Sequence, residues 1–193
     1  RSWVTEQIDS AVALARDAGC QAIGLGGYTS SVTASCLRVQ TKGIALTSGN
    51  SLAVGMSIRA LEEGARRQGI DLATSWLGVV GVPGNIASIF ATLMAPKVAG
   101  MVLVAHTLAS KPLASLLQQL KRVAPALPIE PSDTPASLER CQLIVTATVG
   151  AGDLLQPEHL NGGPVVICDI SVPSDVSARV ARERPDVAVI PGG

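Results

Sequence analysis

Two rhythms of apolar and polar positions run along this chain. Over residues 4–18 the apolar positions Val4, Ile8, Val12 and Ala15 recur at helical spacing and are closed by Gly19, which predicts an amphipathic helix. "QAIGLGG" reads as a short buried strand running into a turn, "SVTASCLRV" as strand or irregular, and "GIALTS" as another strand. A helix capped by Ser48 or Asn50 is expected to run to about Gln68, with Gly69 as its stop. From Trp76 the rhythm changes. Strand-like runs (the continuous apolar "WLGVVG", then "GMVLVAH", the short "ALPIEP", "CQLIVTAT", "PVVICDIS" and "DVAVI") alternate with helix-spaced segments ("NIASIFATLM", "KPLASLLQQLKRV", "TPASLERC", "DVSARVARER"). Continuous rather than alternating apolar strands belong to a parallel sheet covered on both faces. The fold class is therefore α/β, a doubly wound parallel sheet over residues 71–193. A partial, smaller α/β segment over residues 1–70 precedes it, with the boundary around Gly69 to Ser75.

Two glycine-rich stretches compete for one role. A dinucleotide loop needs a glycine at the C-terminal end of the first strand, a second where the pyrophosphate meets backbone, and a small third residue where helix packs on strand. "GVPGNIAS" supplies Gly81, Gly84 and Ala87 in a variant spacing, followed at once by a helix and further strand–helix alternations. In "GLGGYTSSVT" the glycines lead into Thr, Ser, Ser, Val and Thr, poor helix formers in series, and no βαβ unit is expected there. Its glycines are instead expected to let backbone lie against a ligand or a neighbouring strand.

Composition excludes several classes. Lys plus Arg (15) equals Asp plus Glu (15), so no footprint for nucleic acid or an anionic membrane is visible. Arg66-Arg67 and Lys121-Arg122 lie near expected helix ends, where cations suit the helix dipole. One Phe, one Tyr and two Trp leave no stacking platform for single strands. No apolar run reaches roughly 18 residues unbroken, so no membrane span is expected; the nearest, residues 78–94, is interrupted by Gly81, Pro83, Gly84 and Asn85. Cys20, Cys36, Cys141 and Cys168 show no CxxC spacing and read as reduced core cysteines of a cytoplasmic protein, with no metal site. The sequence opens at Arg1 without Met and stops at "VAVIPGG", which suggests a piece of a longer polypeptide.

Cofactor choice turns on the end of the second strand of the sheet, where an NAD enzyme usually places Asp or Glu for the ribose hydroxyls. Here "VLVAHTLASK" has no carboxylate, and His106, Thr107, Ser110 and Lys111 could surround a 2′-phosphate. NADP is expected, with NAD as the alternative.

The segments "IGLGGYTSSVT", "LTSGNSLAVGMSIRALEEGARRQGIDLATSWLGVVGVPGNIAS", "CQLIVTATVG", "VVICDISVP" and "VAVIPGG" resemble the long-chain acyl-carrier-protein reductases, aldehyde-forming enzymes with a Rossmann domain like that of amino-acid dehydrogenases. The resemblance covers about residues 20–193. It implies an NAD(P)-dependent oxidoreductase that reduces a fatty acyl thioester, carried by acyl carrier protein or coenzyme A, to an aldehyde through a cysteine thioester. Ala87 stands where that family usually has Gly, and His106 where it usually has Arg. The family's nucleophilic cysteine lies beyond the segment matching "VAVIPGG", so no catalytic residue is assigned here. Shikimate dehydrogenases share the general shape, but at their Lys–Asp site this chain reads "SGNSLAVG", with Ser51 and Leu52.

These readings assign the cofactor to Gly81, Pro83, Gly84, Asn85 and Ile86 at the pyrophosphate and to His106 and Thr107 at the adenosine ribose or its phosphate. Thr146, Ala147, Thr148 and Val149 are expected beside the nicotinamide ribose. Gly26, Gly27, Tyr28, Thr29, Ser48 and Asn50 are expected on the substrate side of a cleft, although helix capping explains Ser48 and Asn50 equally well. Asp169 reads as a buried, hydrogen-bonded residue rather than a catalytic acid. The rival class is a non-catalytic nucleotide-binding or scaffold domain of a larger acyl-processing protein.

Overall fold

A computed structural model describes residues 3–41, 43–150 and 152–192. The chain forms two compact units, Arg1–Leu52 and Ala53–Gly193. The division falls inside a helix rather than at Gly69–Ser75, because most of that helix packs on the larger unit's sheet.

The smaller unit holds helix α1 (Trp3–Asp17), strand β1 (Ala22–Gly24), helix α2 (Tyr28–Val32) and strand β2 (Ala45–Thr47). Thr5, Ile8 and Val12 form the buried stripe of α1, and Val4 is exposed, one position off the expected face. Ile8 and Val12 pack with Leu25, Val39 and Ile44. Gly19 closes α1 at φ +86°, with the Cys20 N–H donating to the Ala15 carbonyl at 3.0 Å.

The structure corrects the expectation that no βαβ unit comes after "GLGG". β1 and β2 pair in parallel, and the one-turn helix α2 lies between them in sequence. Poor helix propensity matters little over five residues, and hydroxyls hold the turn. Thr29 donates to the Gly26 carbonyl at 2.7 Å and Thr33 to the Thr29 carbonyl at 2.6 Å. Ala34, Ser35 and Cys36 then take positive φ (50°, 56° and 74°), which ends the helix.

The larger unit contains most of α3 (Asn50–Gln68), then β3 (Trp76–Val82), α4 (Asn85–Met94), β4 (Gly100–Ala105), α5 (Lys111–Val123), β5 (Ile129–Ser132), β6 (Leu143–Thr146), β7 (Val165–Asp169), α6 (Ala178–Glu183) and β8 (Val187–Pro191). Gly69 stops α3 at φ +68°, while Arg66 and Arg67 in its last turn hydrogen-bond Glu63 and hold that carboxyl down at about 2. The segment "TPASLERC" forms a 3-10 turn over Pro135–Arg140 rather than an α-helix.

Six strands form one all-parallel sheet in the order β5-β4-β3-β6-β7-β8. Both faces are covered, which explains the unbroken apolar runs. Leu77, Val79, Met101, Leu103, Leu143, Val145, Val166 and Cys168 pack with α3, α4 and α5 on one face. Their neighbours Val80, Val102, Val104, Ile144, Val165 and Ile167 pack with Leu138, Leu155, Leu160 and Val180 on the other. At about 25 cal/mol per Å² of apolar surface, this double-sided core is the main stabilising term. Gly64 and Gly100 mark close approaches. A Cβ on Gly64 would lie 2.7 Å from a Val166 methyl, and one on Gly100 would lie 2.4 Å from the Trp76 ring.

Candidate functional site

The order β5-β4-β3-β6-β7-β8 reverses direction between β3 and β6, so the C-terminal ends of these two strands form a topological switch point. In open α/β sheets, ligands bind at such a point. "GVPGNIAS" lies there.

Gly81 sits where the β3–β4 register slips, at φ +99°, and a Cβ there would lie 2.4 Å from the Ala147 carbonyl oxygen. Only glycine lets the loop lie so close to the end of β6. Gly84 is the N-cap of α4 and caps it with no side-chain hydrogen bond, unlike Ser110 on α5 and Ser177 on α6. A Cβ on Gly84 would meet the Gly81 carbonyl at 2.7 Å. Pro83, Gly84 and Asn85 are exposed, Ile86 is half-buried, and Ala87 is fully buried against the sheet. The Val82–Pro83 peptide is cis. The positive end of the α4 dipole is thus presented on bare backbone, the chemistry that a pyrophosphate takes.

At the end of β4, His106, Thr107 and Lys111 are exposed, with His106 Nδ1 at 3.3 Å from Thr107 Oγ1. Ser110, expected near a phosphate, instead caps α5 by accepting from the Leu113 N–H at 3.4 Å.

The expected residues at the end of β6 and just beyond it divide by side chain. The Thr146 hydroxyl is buried and donates to Asp169 Oδ1 at 2.5 Å. Thr148 Oγ1 donates to Asp175 at 2.8 Å, while the Thr148 N–H donates to Ser171 Oγ at 2.9 Å. Both threonine hydroxyls therefore face the protein, and this segment offers outward only Ala147, half-buried, and Val149, exposed. Asp169 behaves as read from the sequence. Its carboxylate also accepts from the Ser171 N–H, Ser174 Oγ and the Asp175 N–H. Four donors satisfy a buried charge, leaving it no lone pair for acid–base work.

Sequence reasoning missed Ser171, Ser174 and Asp175, which complete this network. The hydroxyl-rich run "ISVPSDVS" directly after an apolar strand was the available signal.

In the smaller unit, Gly26, Gly27 and Tyr28 are exposed and Thr29 is half-buried. Gly27 is the N-cap of α2 at φ +54°. Ser48 and Asn50 are occupied locally. Ser48 Oγ accepts from the Asn50 N–H at 3.5 Å, and Asn50 Nδ2 donates to Ser35 Oγ at 3.2 Å.

Two of the four cysteines depart from the core reading: Cys20 is exposed and Cys36 half-buried. Burial pushes the Cys141 thiol up to about 12, and it raises Cys168 and Cys36 as well. That direction opposes thiolate activation. Among the described residues there is no group of metal-ligating side chains, and no helix is long and apolar enough to cross a membrane.

No family model matches the chain. Over 176 residues, 91% of the chain, it is 30% identical to a protein of Serratia sp. named aminotransferase PigE, and it spans 20% of that protein's length. Glutamyl-tRNA reductase from Methanopyrus kandleri superposes with a TM-score of 0.55 at 20% identity, over 72% of this chain and 34% of that one. Quinate dehydrogenase from Corynebacterium glutamicum, solved in complex with NAD, superposes with a TM-score of 0.53 at 11% identity, over 95% of this chain and 71% of that one. The strand order, the glycine turn at the switch point and these superpositions lead to one conclusion: the chain carries a Rossmann-like fold of the kind found in dehydrogenases and reductases.

Proposed function

We propose that the chain is the NAD(P)-binding part of a reductase that converts a fatty acyl thioester, on acyl carrier protein or coenzyme A, to an aldehyde with NADPH. The observation that carries the reading is the turn Gly81–Gly84 at the switch point, with glycine at both ends, leading into an α4 N-terminus whose cap makes no side-chain hydrogen bond. These residues fit a dinucleotide. Gly81, Pro83, Gly84, Asn85 and Ile86 meet the pyrophosphate with backbone, while His106, Thr107 and Lys111 meet the adenosine ribose and its 2′-phosphate. Two exposed cation-capable side chains with no carboxylate at the end of β4 favour NADPH over NADH. Ala147 and Val149 lie on the nicotinamide side. Gly26, Gly27, Tyr28 and Thr29 contact the acyl group. When bound, the nicotinamide supplies the hydride.

Two further lines support aldehyde formation. One is the resemblance of "GLGGYTSSVT" and "TSGNS" to the acyl-carrier-protein reductases. The other is chemical: aldehydes are among the carbonyl compounds an aminotransferase can convert to amines, and the Serratia relative, five times as long as its matching part, bears that name. The test uses the longest natural polypeptide containing this chain. Oxidation of NADPH that depends on an acyl thioester and yields an aldehyde is the expected result. NADPH binding without turnover of any acyl thioester contradicts it and favours a scaffold domain.

A further inference from the structure

The pairing of β6 with β7 continues past the ends of both strands. Thr146 lies opposite Asp169, and three residues further along each segment Val149 and Val172 form an isolated parallel bridge in the same register. Side chains fill the gap. The Thr148 N–H donates to Ser171 Oγ at 2.9 Å, Ser171 Oγ donates to Asp175 Oδ2 at 2.5 Å, and Thr148 Oγ1 donates to the same carboxylate at 2.8 Å. Asp175 is fully buried, yet the two residues its carboxylate fastens, Thr148 and Ser171, each directly precede an exposed valine. Val149 is 69% and Val172 64% exposed, so the latch holds two β-branched apolar groups in water, the opposite of what core packing favours.

The glycine turn and the end of β4 serve one mononucleotide half of the sheet, which leaves the half built on β6, β7 and β8 for the other end of a dinucleotide. We propose that Val149 and Val172 form an apolar seat for the nicotinamide ring, and that Thr148, Ser171 and Asp175 are positioning residues that hold the seat in register. The inference rests on the dinucleotide reading above. That reading gives no role to Val172, Ser171 or Asp175; Thr148 lies between Ala147 and Val149, which it places on the nicotinamide side.

The experiment measures the chain's affinity for NADPH and for 2′-phospho-ADP-ribose, which lacks the nicotinamide, with NADH and ADP-ribose in parallel. It also follows the fluorescence of the bound reduced nicotinamide. The unaltered chain is expected to prefer the whole dinucleotide by roughly tenfold, the scale of burying one ring against two valines, and to enhance its emission. Thr148→Val and Val172→Ser each abolish that preference and the enhancement while fragment affinity stays unchanged, and Thr148→Ser restores both. Fragment affinity reports folding, and if Thr148→Val does not fold, the surface change Val172→Ser decides. Equal weakening of dinucleotide and fragment, or no change in either, overturns the seat. A chain that binds the fragment as tightly as the dinucleotide overturns the seat alone. A chain that binds neither overturns the dinucleotide reading and the seat with it.

Discussion

Gly81 shows how much one residue decides. Its φ of +99° and the 2.4 Å from a built Cβ to the Ala147 carbonyl leave room for no side chain. Gly81→Ala is expected to cost about 1–3 kcal/mol of stability, read as a lower urea midpoint, and to weaken nucleotide binding by moving the turn off the end of β6. Asp169 and Cys141 argue the same way from burial. Asp169→Ala strands the buried Thr146 hydroxyl and the Ser171 and Asp175 N–H groups, and about 3 kcal/mol of destabilisation is expected in the same measurement. The Cys141 thiol is raised from 9.0 to about 12 in the fold by desolvation, so folding holds a proton that the unfolded chain releases. Its stabilising effect is whole below about pH 9 and is lost as pH rises toward 12. In the folded chain at pH 8, an alkylating reagent should modify exposed Cys20, whereas Cys141 should react only after denaturation.

Elements were legible wherever one periodicity ran long enough. α4 and α5 span the residues read from "NIASIFATLM" and "KPLASLLQQLKRV", and the six strands of the sheet match the six apolar runs. Legibility failed where hydrogen bonds rather than burial set the backbone. α2 is held by the Thr29 and Thr33 hydroxyls, which a propensity argument does not see. The same holds for the candidate site. The glycine turn was visible because strand, turn and helix each leave a sequence signal. The inward direction of Thr146 and Thr148 was not, since it depends on Asp169 and Asp175, more than twenty residues away in the chain. The end of β4 carries the most portable prediction. His106→Asp places a carboxylate where ribose hydroxyls bind in NAD enzymes. It should weaken NADPH at least tenfold relative to NADH, by about 1.4 kcal/mol or more of differential binding, read by calorimetry on both.

At the scale of the molecule, the chain holds two parallel β–α–β arrangements of unequal size, each with glycines after its first strand. They differ in the helix and sheet that stand behind those glycines. Behind Gly27 is one helical turn ended by three residues of positive φ; behind Gly84 is a three-turn helix with a buried Ala87 against a six-stranded, doubly covered sheet. Only the second presents a sustained helix dipole at a switch point. That the dinucleotide belongs to the larger unit is the central claim. Its most direct test is calorimetric titration of NADPH into Gly84→Val and Gly27→Ala side by side, with circular dichroism confirming that both are folded. The account predicts that Gly84→Val loses NADPH binding while Gly27→Ala keeps the affinity of the unaltered chain. Retained binding in Gly84→Val together with its loss in Gly27→Ala would contradict it.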